Sequence, residues 1–329
     1  PGAAFEGNSC AGTVLDGNYL FRTDSRLISP PVDLASAPAS GKLWFTFWHW
    51  YSFYNGDSGQ LEILLPDSSW TAITGTFTHT SGGWTQNIID VSEYAGQTVQ
   101  FGFHLHDSPT ATSHVAAGWY VDKVGLVEGL KFFTNPEGFE TRTRGWYADA
   151  GTWQIGEPTA GPAGPNDGQF CAGTSLDGNY PRYADSRLIS PPVVLPANPL
   201  VRFYRWFDLA ANDSTMFEIS VDGGPWERIV AFTTSGNWAP YVTSLAAYGG
   251  QSVRFAFHLK DNGDGAEAPG FSVDGFEING LSIDPVAVPV LDDVSYSAGH
   301  PMLTWSPPAA DSQYIVVYAG HTQNVICLL

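Results

Sequence analysis

The sequence predicts an all-β protein built from tandem antiparallel jelly-roll sandwiches. Three observations carry that expectation. The phrase CAGTVLDGNY (10–19) returns as CAGTSLDGNY (171–180), so one fold is written twice. Aromatic runs such as LWFTFWHWYSF (43–53) and VRFYRWFDL (201–209) are bounded by turn residues and show no sustained helical periodicity. The composition agrees: 36 Gly and 23 Pro in 329 residues, with 14% aromatic and only 14% charged side chains, suit short strands joined by many turns.

The duplication extends past its opening phrase. Residues 10–34 and 171–195 are identical at 19 of 25 positions. The match then thins and its offset shrinks. Trp50, Asp57, Glu62 and Trp70 answer Trp206, Asp213, Glu218 and Trp226 at a spacing of 156. Trp84, Tyr94 and Phe101 answer Trp238, Tyr248 and Phe255 at 154, and GWYVD (118–122) answers GFSVD (270–274) at 152. Length changes confined to the gaps between motifs are loop insertions within one fold. The period is far too long for a solenoid unit. Inside the second copy, MFEISVDGGPWERI (216–229) alternates into an Asp-Gly-Gly turn and out again, which predicts a hairpin. Phe101 with Phe103, and Phe255 with Phe257, fall on one face of a strand.

The expected organisation is a first jelly roll over 1–129, a second over 131–281 and a third segment over 284–329. Residues 131–170 precede Cys171 in the second copy, whereas only residues 1–9 precede Cys10 in the first. The first copy is therefore expected to lack the counterpart of its first strands, which either upstream sequence or another chain would supply by β-addition. The start, PGAAFEGNS, has neither the basic stretch nor the apolar run of a signal peptide and reads as the middle of a repeat.

The balance of 14 basic against 33 acidic residues, a net charge of −19, repels phosphate backbones and anionic membranes, which excludes a nucleic-acid partner. No apolar run is long enough for a membrane helix, so membrane insertion is not expected. Three cysteines do not make a disulfide scaffold; Cys10 and Cys171 hold equivalent positions, either as small buried thiols or as a bridge, and Cys327 lies near the end.

The third segment, with LTWSPP (303–308) and a following β-branched strand, resembles the opening of a fibronectin type III domain, with Trp305 as its core tryptophan. The ordered string GFE (138–140), WQIGEPTAGP (153–162), CAGTSLDGNY, DSRLISPPV (185–193), EISVDGGPW (218–226), AYGGQSVRFAFHL (247–259) and GFSVDGFEI (270–278) resembles bacterial MAM-like jelly-roll modules. Such modules occur in secreted and surface proteins, often appended to proteases or fibronectin type III arrays. The resemblance covers 131–281 fully and 1–129 apart from its front. It implies a concanavalin-like jelly roll without catalysis of its own, used for adhesion, for carbohydrate or protein binding, or as a spacer.

It also implies a structural calcium ion (Ca2+) between first and last strands, held by Glu140 and Asp274 with Asp177. Asp122 and Asp16 are the first-copy counterparts, where nothing answers Glu140. On the residues alone Asp177 is equally an Asp-Gly turn cap, and both readings stand open.

Other chemistry is thinner. NGDSGQ (55–60) contains a serine-protease-like GDSG, but its counterpart reads NDSTM and no histidine or aspartate context accompanies it. His104 and His106 share a strand face that would suit zinc, yet the second copy has His258 and Lys260 and no third ligand is apparent. Asp57 and Glu62 form a glycosidase-like pair of acids without a cleft. The aromatic cluster is the binding candidate. Alternation sends Trp48 and Trp50 to one side of a strand and Tyr51 and Phe53 to the other; Trp48, Trp50, Tyr51 and Tyr54 are the residues that would stack on sugar rings, the alternative being core or inter-domain packing.

The expected function is a non-catalytic adhesion or binding region of a secreted or surface-anchored bacterial multidomain protein, located outside the cell or on its surface. It would be calcium-stabilised and take a cell-surface or matrix glycan or protein as partner. The alternative is a structural subunit of an extracellular fibre, in which copies of the chain join by strand donation.

Overall fold

The computed structural model describes residues 1–34, 42–107, 115–128, 133–141, 145–232, 236–280, 290–297, 300–306, 315–319 and 324–328. Pro1–Leu281 forms one compact unit and Ser282–Leu329 another. Among the described residues there is no α-helix, only strands and two single 3-10 turns, and thus no helix long and apolar enough to cross a membrane.

The first copy contributes β1 (Ala11–Gly12), β2 (Asp24–Ile28), β3 (Val32–Asp33), β4 (Leu43–Ser52), β5 (Ser58–Leu64), β6 (Trp70–Ala72), β7 (Thr85–Asp90), β8 (Thr98–His106) and β9 (Gly118–Glu128). They form two antiparallel sheets, β1-β9-β4-β7 and β2-β8-β5-β6, with β3 also on β8. Aromatic rings fill the space between; Phe45 of one sheet stacks on Phe101 of the other with centroids 3.9 Å apart.

The second copy repeats this with β12 (Cys171–Gly173), β13 (Asp185–Ile189), β14 (Val193–Val194), β15 (Leu200–Asp208), β16 (Ser214–Val221), β17 (Trp226–Phe232), β18 (Gly236–Ser244), β19 (Ser252–Lys260) and β20 (Gly270–Asn279). Ahead of them it adds β10 (Tyr147–Ala148) and β11 (Gln154–Gly156). The sheets are β11-β12-β20-β15-β18 and β10-β13-β19-β16-β17, with β14 also on β19. The sandwich thus gains one edge strand on each sheet. The hairpin expected around Asp222–Gly224 joins β16 and β17, with Gly223 in the left-handed region at φ 76°.

Two details survive the divergence of the copies. The ladder between β4 and β9 slips between Thr46 and Trp48, and that between β15 and β20 slips at the equivalent Arg202 and Tyr204. Such a bulge re-aims the side chains that follow it. In the last strand of each copy a left-handed residue answers the bulge: Lys123 at φ 47° and Gly275 at φ 57°.

The segment that carries β10 also joins the two sandwiches. The Tyr51 hydroxyl donates to the Ala150 carbonyl, Asn87 Nδ2 donates to the carbonyls of Ala148 at 3.2 Å and Asp149 at 3.3 Å, and Thr152 N–H donates to the Ser81 carbonyl at 2.8 Å. In the second unit β21 (Val290–Ser297) pairs with β22 (His300–Ser306) and β23 (Ile315–Ala319) with β24 (Asn324–Leu328), all antiparallel. The core role expected of Trp305 and the state of Cys327 lie outside the described residues, as do the expected boundaries at 129, 131 and 284.

Candidate functional site: an aromatic cleft between the sandwiches

Alternation along β4 works as the pattern predicts. Phe47, His49 and Tyr51 turn inward, while Trp48 and Trp50 stand half-buried on the outer face. There they line a cleft of about 680 Å³. One wall carries Trp48, Trp50, Trp84 and Lys123; the other carries Gln154, Glu157 and Asp177 of the second sandwich. The volume lies within the range of small-molecule sites.

Residues 1–5 cross one end of the cleft. Phe5 lies flat on Trp48, with centroids 3.7 Å apart and planes 10° from parallel. Trp84 Nε1 donates to the Ala3 carbonyl at 3.1 Å, and the backbone N–H groups of Phe5 and Glu6 donate to Asp122 Oδ2 at 2.9 and 3.1 Å. Lys123 pairs with Glu6 at 2.8 Å. Trp50 meets Tyr120 edge-on at 5.6 Å. Indoles and carboxylates thus line one cleft, with a face of Trp48 covered by Phe5.

Tyr51 does not share this surface. It is 0% exposed, its ring stacks on Phe53, and its hydroxyl is engaged by Ala150. Tyr54 lies half-buried in the loop after β4, where its N–H donates to the Tyr19 hydroxyl at 3.0 Å, and it is not among the residues lining the cleft. Trp84 was not singled out by the sequence reading as a binding residue, although its recurrence as Trp238 marked it as part of the repeated frame.

The calcium candidates are divided. Glu140 and Asp274 converge on one loop: Glu140 accepts the N–H groups of Gln169 and Phe170 at 3.0 and 3.1 Å, and Asp274 Oδ2 those of Asn166 and Asp167 at 2.9 and 3.0 Å. Burial pushes the Asp274 carboxyl up to about 6, with the nearby Glu140 charge adding to the shift against the backbone N–H groups. Asp177 is exposed and lines the aromatic cleft instead. In the first copy Asp122 grips residues 5 and 6, and Asp16 is exposed.

The remaining motifs sit in hydrogen-bonded or ion-paired surroundings. Tyr19 donates to Asp57 Oδ2 at 2.5 Å beneath the GDSG loop, and among the described residues no hydrogen bond joins the Ser58 hydroxyl to an imidazole. Asp24 emerges as a third neighbour of His104 and His106, at 2.6 and 3.7 Å; in the second copy Lys260 replaces His106 and pairs with Asp185 at 2.9 Å. Glu62 is tied to Arg26 at 2.6 Å and His104 at 3.0 Å. Cys10 and Cys171 are both free thiols, and burial raises the Cys171 thiol to about 12.

No family model matches the chain. Bacillopeptidase F of Bacillus subtilis (strain 168) is 26% identical over 218 residues, covering 62% of this chain and 14% of the relative's own length. Among solved structures, a CBM61 module in complex with β-1,4-galactotriose is 16% identical, covers 44% of this chain and 96% of its own, and has a TM-score of 0.32. The K1 cleaved adhesin domain of Lys-gingipain from Porphyromonas gingivalis W83 is 20% identical over 43% of this chain and 95% of its own, with a TM-score of 0.30. A tandem pair of CBM22 modules from Paenibacillus barcinonensis Xyn10C covers 76% of this chain and 82% of its own at 14% identity, with a TM-score of 0.30.

Proposed function

We propose that the chain is a non-catalytic, glycan-binding region built from MAM-like jelly rolls and a fibronectin-like module, acting outside the cell or on its surface. The single observation that carries this reading is one cleft lined by Trp50 and Trp84 together with Glu157 and Asp177. Sugar rings present C–H faces to indoles and hydroxyls to carboxylates, and the cleft is lined by side chains of both kinds, which supports the reading. The acidic surface selects a neutral glycan over an anionic one.

Lys123 adds support. It holds a left-handed conformation that the second copy gives to Gly275, and a side chain kept at a costly backbone position is a mark of use. Its side chain is among those lining the cleft, with the ammonium paired to Glu6 at 2.8 Å.

The test is a screen of neutral polysaccharides by affinity electrophoresis, with Trp50→Ala beside the parent chain. Retardation by a neutral glycan, weakened about tenfold or more in Trp50→Ala, supports the reading, since one aromatic stacking partner is worth about 1–3 kcal/mol. A screen with no retardation, or retardation that Trp50→Ala leaves intact, removes it.

Glu140 and Asp274 would hold a structural calcium. The two carboxylates converge on the loop 166–170, and burial, with the nearby Glu140 charge, disfavours the Asp274 carboxylate; a divalent cation would offset both. Asp177, on another surface, would not take part. Chelation should then lower the melting temperature by several degrees, and Asp274→Ala should abolish that response; an unchanged melting curve on chelation ends the calcium reading.

A further inference from the structure

The doubled DSRLI strands, β2 and β13, each begin at a corner where the copies exchange a histidine for a lysine. Asp24 of β2 stands directly across the ladder from His106 of β8, and Asp185 of β13 directly across from Lys260 of β19. The other side chains of the corner are common to both: His104 answers His258, Glu62 answers Glu218 and Arg26 answers Arg187. They lie on the outer face of their sheet, since Phe103 and Leu105, which alternate with the histidines, are buried in the core.

In the second copy the corner is closed by a cation of its own. Lys260 Nζ pairs with Asp185 Oδ2 at 2.9 Å, while Asp185 Oδ1 meets His258 Nε2 at 2.6 Å. In the first copy Asp24 Oδ1 meets His104 Nε2 at the same 2.6 Å, but Asp24 Oδ2 lies 3.7 Å from His106 Nδ1. That gap is too long for a hydrogen bond. It is the span of two metal–ligand bonds of about 2 Å set at an open angle.

His104 points the same way independently. Its Nδ1 faces Glu62 Oε1 at 3.0 Å, and Glu62 is itself held by Arg26 Nε at 2.6 Å. Both ring nitrogens therefore face carboxylate oxygens. A neutral imidazole has one N–H, so its other nitrogen turns a lone pair on an oxygen unless a proton or a metal ion stands between them. With Nδ1–H donated to Glu62, that lone pair is on Nε2, beside Asp24. A carboxylate behind one nitrogen and an ion in front of the other is the way histidine ligands are oriented. The His104 and Glu62 side chains are only 13% and 12% exposed, so this half of the corner is fixed. Asp24 and His106 are exposed and free to adjust by the fraction of an ångström that coordination needs.

We propose that Asp24, His104 and His106 form a site for a divalent transition-metal ion of the zinc class, which takes the place that Lys260 holds in the second copy. Their ligand atoms all lie within 4.8 Å of one another, and Asp24 is the third ligand that the spacing of the two histidines does not reveal. Two imidazoles and a carboxylate suit zinc, whereas calcium takes oxygen ligands. Three protein ligands leave a further coordination position open to solvent. The ion would tie the start of β2 to the end of β8, as the lysine ties β13 to β19. The corner belongs to the sheet β2-β8-β5-β6, whereas the aromatic cleft draws on β4 of the facing sheet, so this inference stands apart from the glycan reading.

The test is equilibrium dialysis of the untagged, chelator-treated chain against zinc chloride, with calcium chloride in excess so that oxygen sites stay filled. One zinc ion should bind per chain. His106→Lys gives the first copy the corner of the second. It should melt, metal-free, no lower than the parent, yet bind zinc more than about a hundredfold more weakly, beyond what loss of a supporting hydrogen bond costs. Asp24→Asn, at an exposed position, carries the test if His106→Lys fails to fold, and should weaken binding about tenfold or more. Absence of bound zinc overturns the proposal. So does zinc that the folded variant retains undiminished, since the ion then belongs to Cys10 or to other histidines.

Discussion

His258 is buried against Asp185, at 2.6 Å, and Glu218, at 3.3 Å, with Arg187 closing the group on Glu218 at 2.7 Å. Burial opposes its charge, but the hydrogen bond to Asp185 and the ion pair with Glu218 prevail and raise its pKa above the ordinary 6.5. Glu218 moves the other way: burial would raise it, yet His258 and Arg187 hold it below its ordinary 4.5. A raised histidine contributes stability in full below 6.5 and loses it as pH rises through the folded value. A depressed glutamate contributes above 4.5 and loses it as pH falls through its folded value. The group is thus strongest between those limits. His258→Gln should cost about 2 kcal/mol there, the scale of charge-assisted hydrogen bonds, and should flatten the decline on the alkaline side. Denaturant midpoints across a pH series check both. At this scale the sequence was partly legible. Strand alternation placed Trp48 and Trp50 outside, but it could not show that Tyr51 is held by Ala150, ninety-nine residues away in the chain. Nor could it separate Asp177 from Glu140 and Asp274, because convergence on one loop is a tertiary fact.

At the scale of elements, β2 and β13 form a natural matched pair, the same DSRLI with different neighbours. Leu188→Ala removes side-chain volume from a closed core and should destabilise the protein by about 3 kcal/mol. Leu27→Ala trims a half-exposed side chain and should cost less than about 1 kcal/mol. Urea unfolding of both variants decides the point; equal costs would mean that Leu27 is packed as closely in solution as Leu188. Element identity was readable here because the aromatic faces, the Asp-Gly-Gly hairpin and the doubled phrase each fix a strand locally. Burial was not readable from the peptide, since the covering residues 133–156 lie outside it. The covering strands lie ahead of Cys171, in residues that the repeated phrase does not include.

At the scale of the molecule, the two sandwiches are joined by the same segment that completes the second one. Residues 148–152 bond to Tyr51, Ser81 and Asn87 across the seam while β10 and β11 pair within their own sheets. The duplication revealed the two bodies but gave no sign of this shared mortar, because the residues that serve it have no counterpart in the first copy. Gly151 is its tightest point. It has a left-handed φ of +85°, and a Cβ there would stand 2.7 Å from the Tyr51 hydroxyl and 2.8 Å from the Ser81 Cα, a backbone atom that cannot swing aside. Gly151→Ala should therefore open the seam, at a cost of about 1–3 kcal/mol in local strain. Gly164→Ala, where a Cβ meets nothing within 4 Å, is the control. Calorimetry should show the sandwiches of the parent chain and of the control unfolding together, and those of Gly151→Ala in two separated transitions. The cleft straddles the same seam, so glycan affinity should fall in Gly151→Ala with Trp50 and Trp84 intact. Coupled unfolding with undiminished affinity in that variant would mean that each sandwich holds its own half of the cleft without the other.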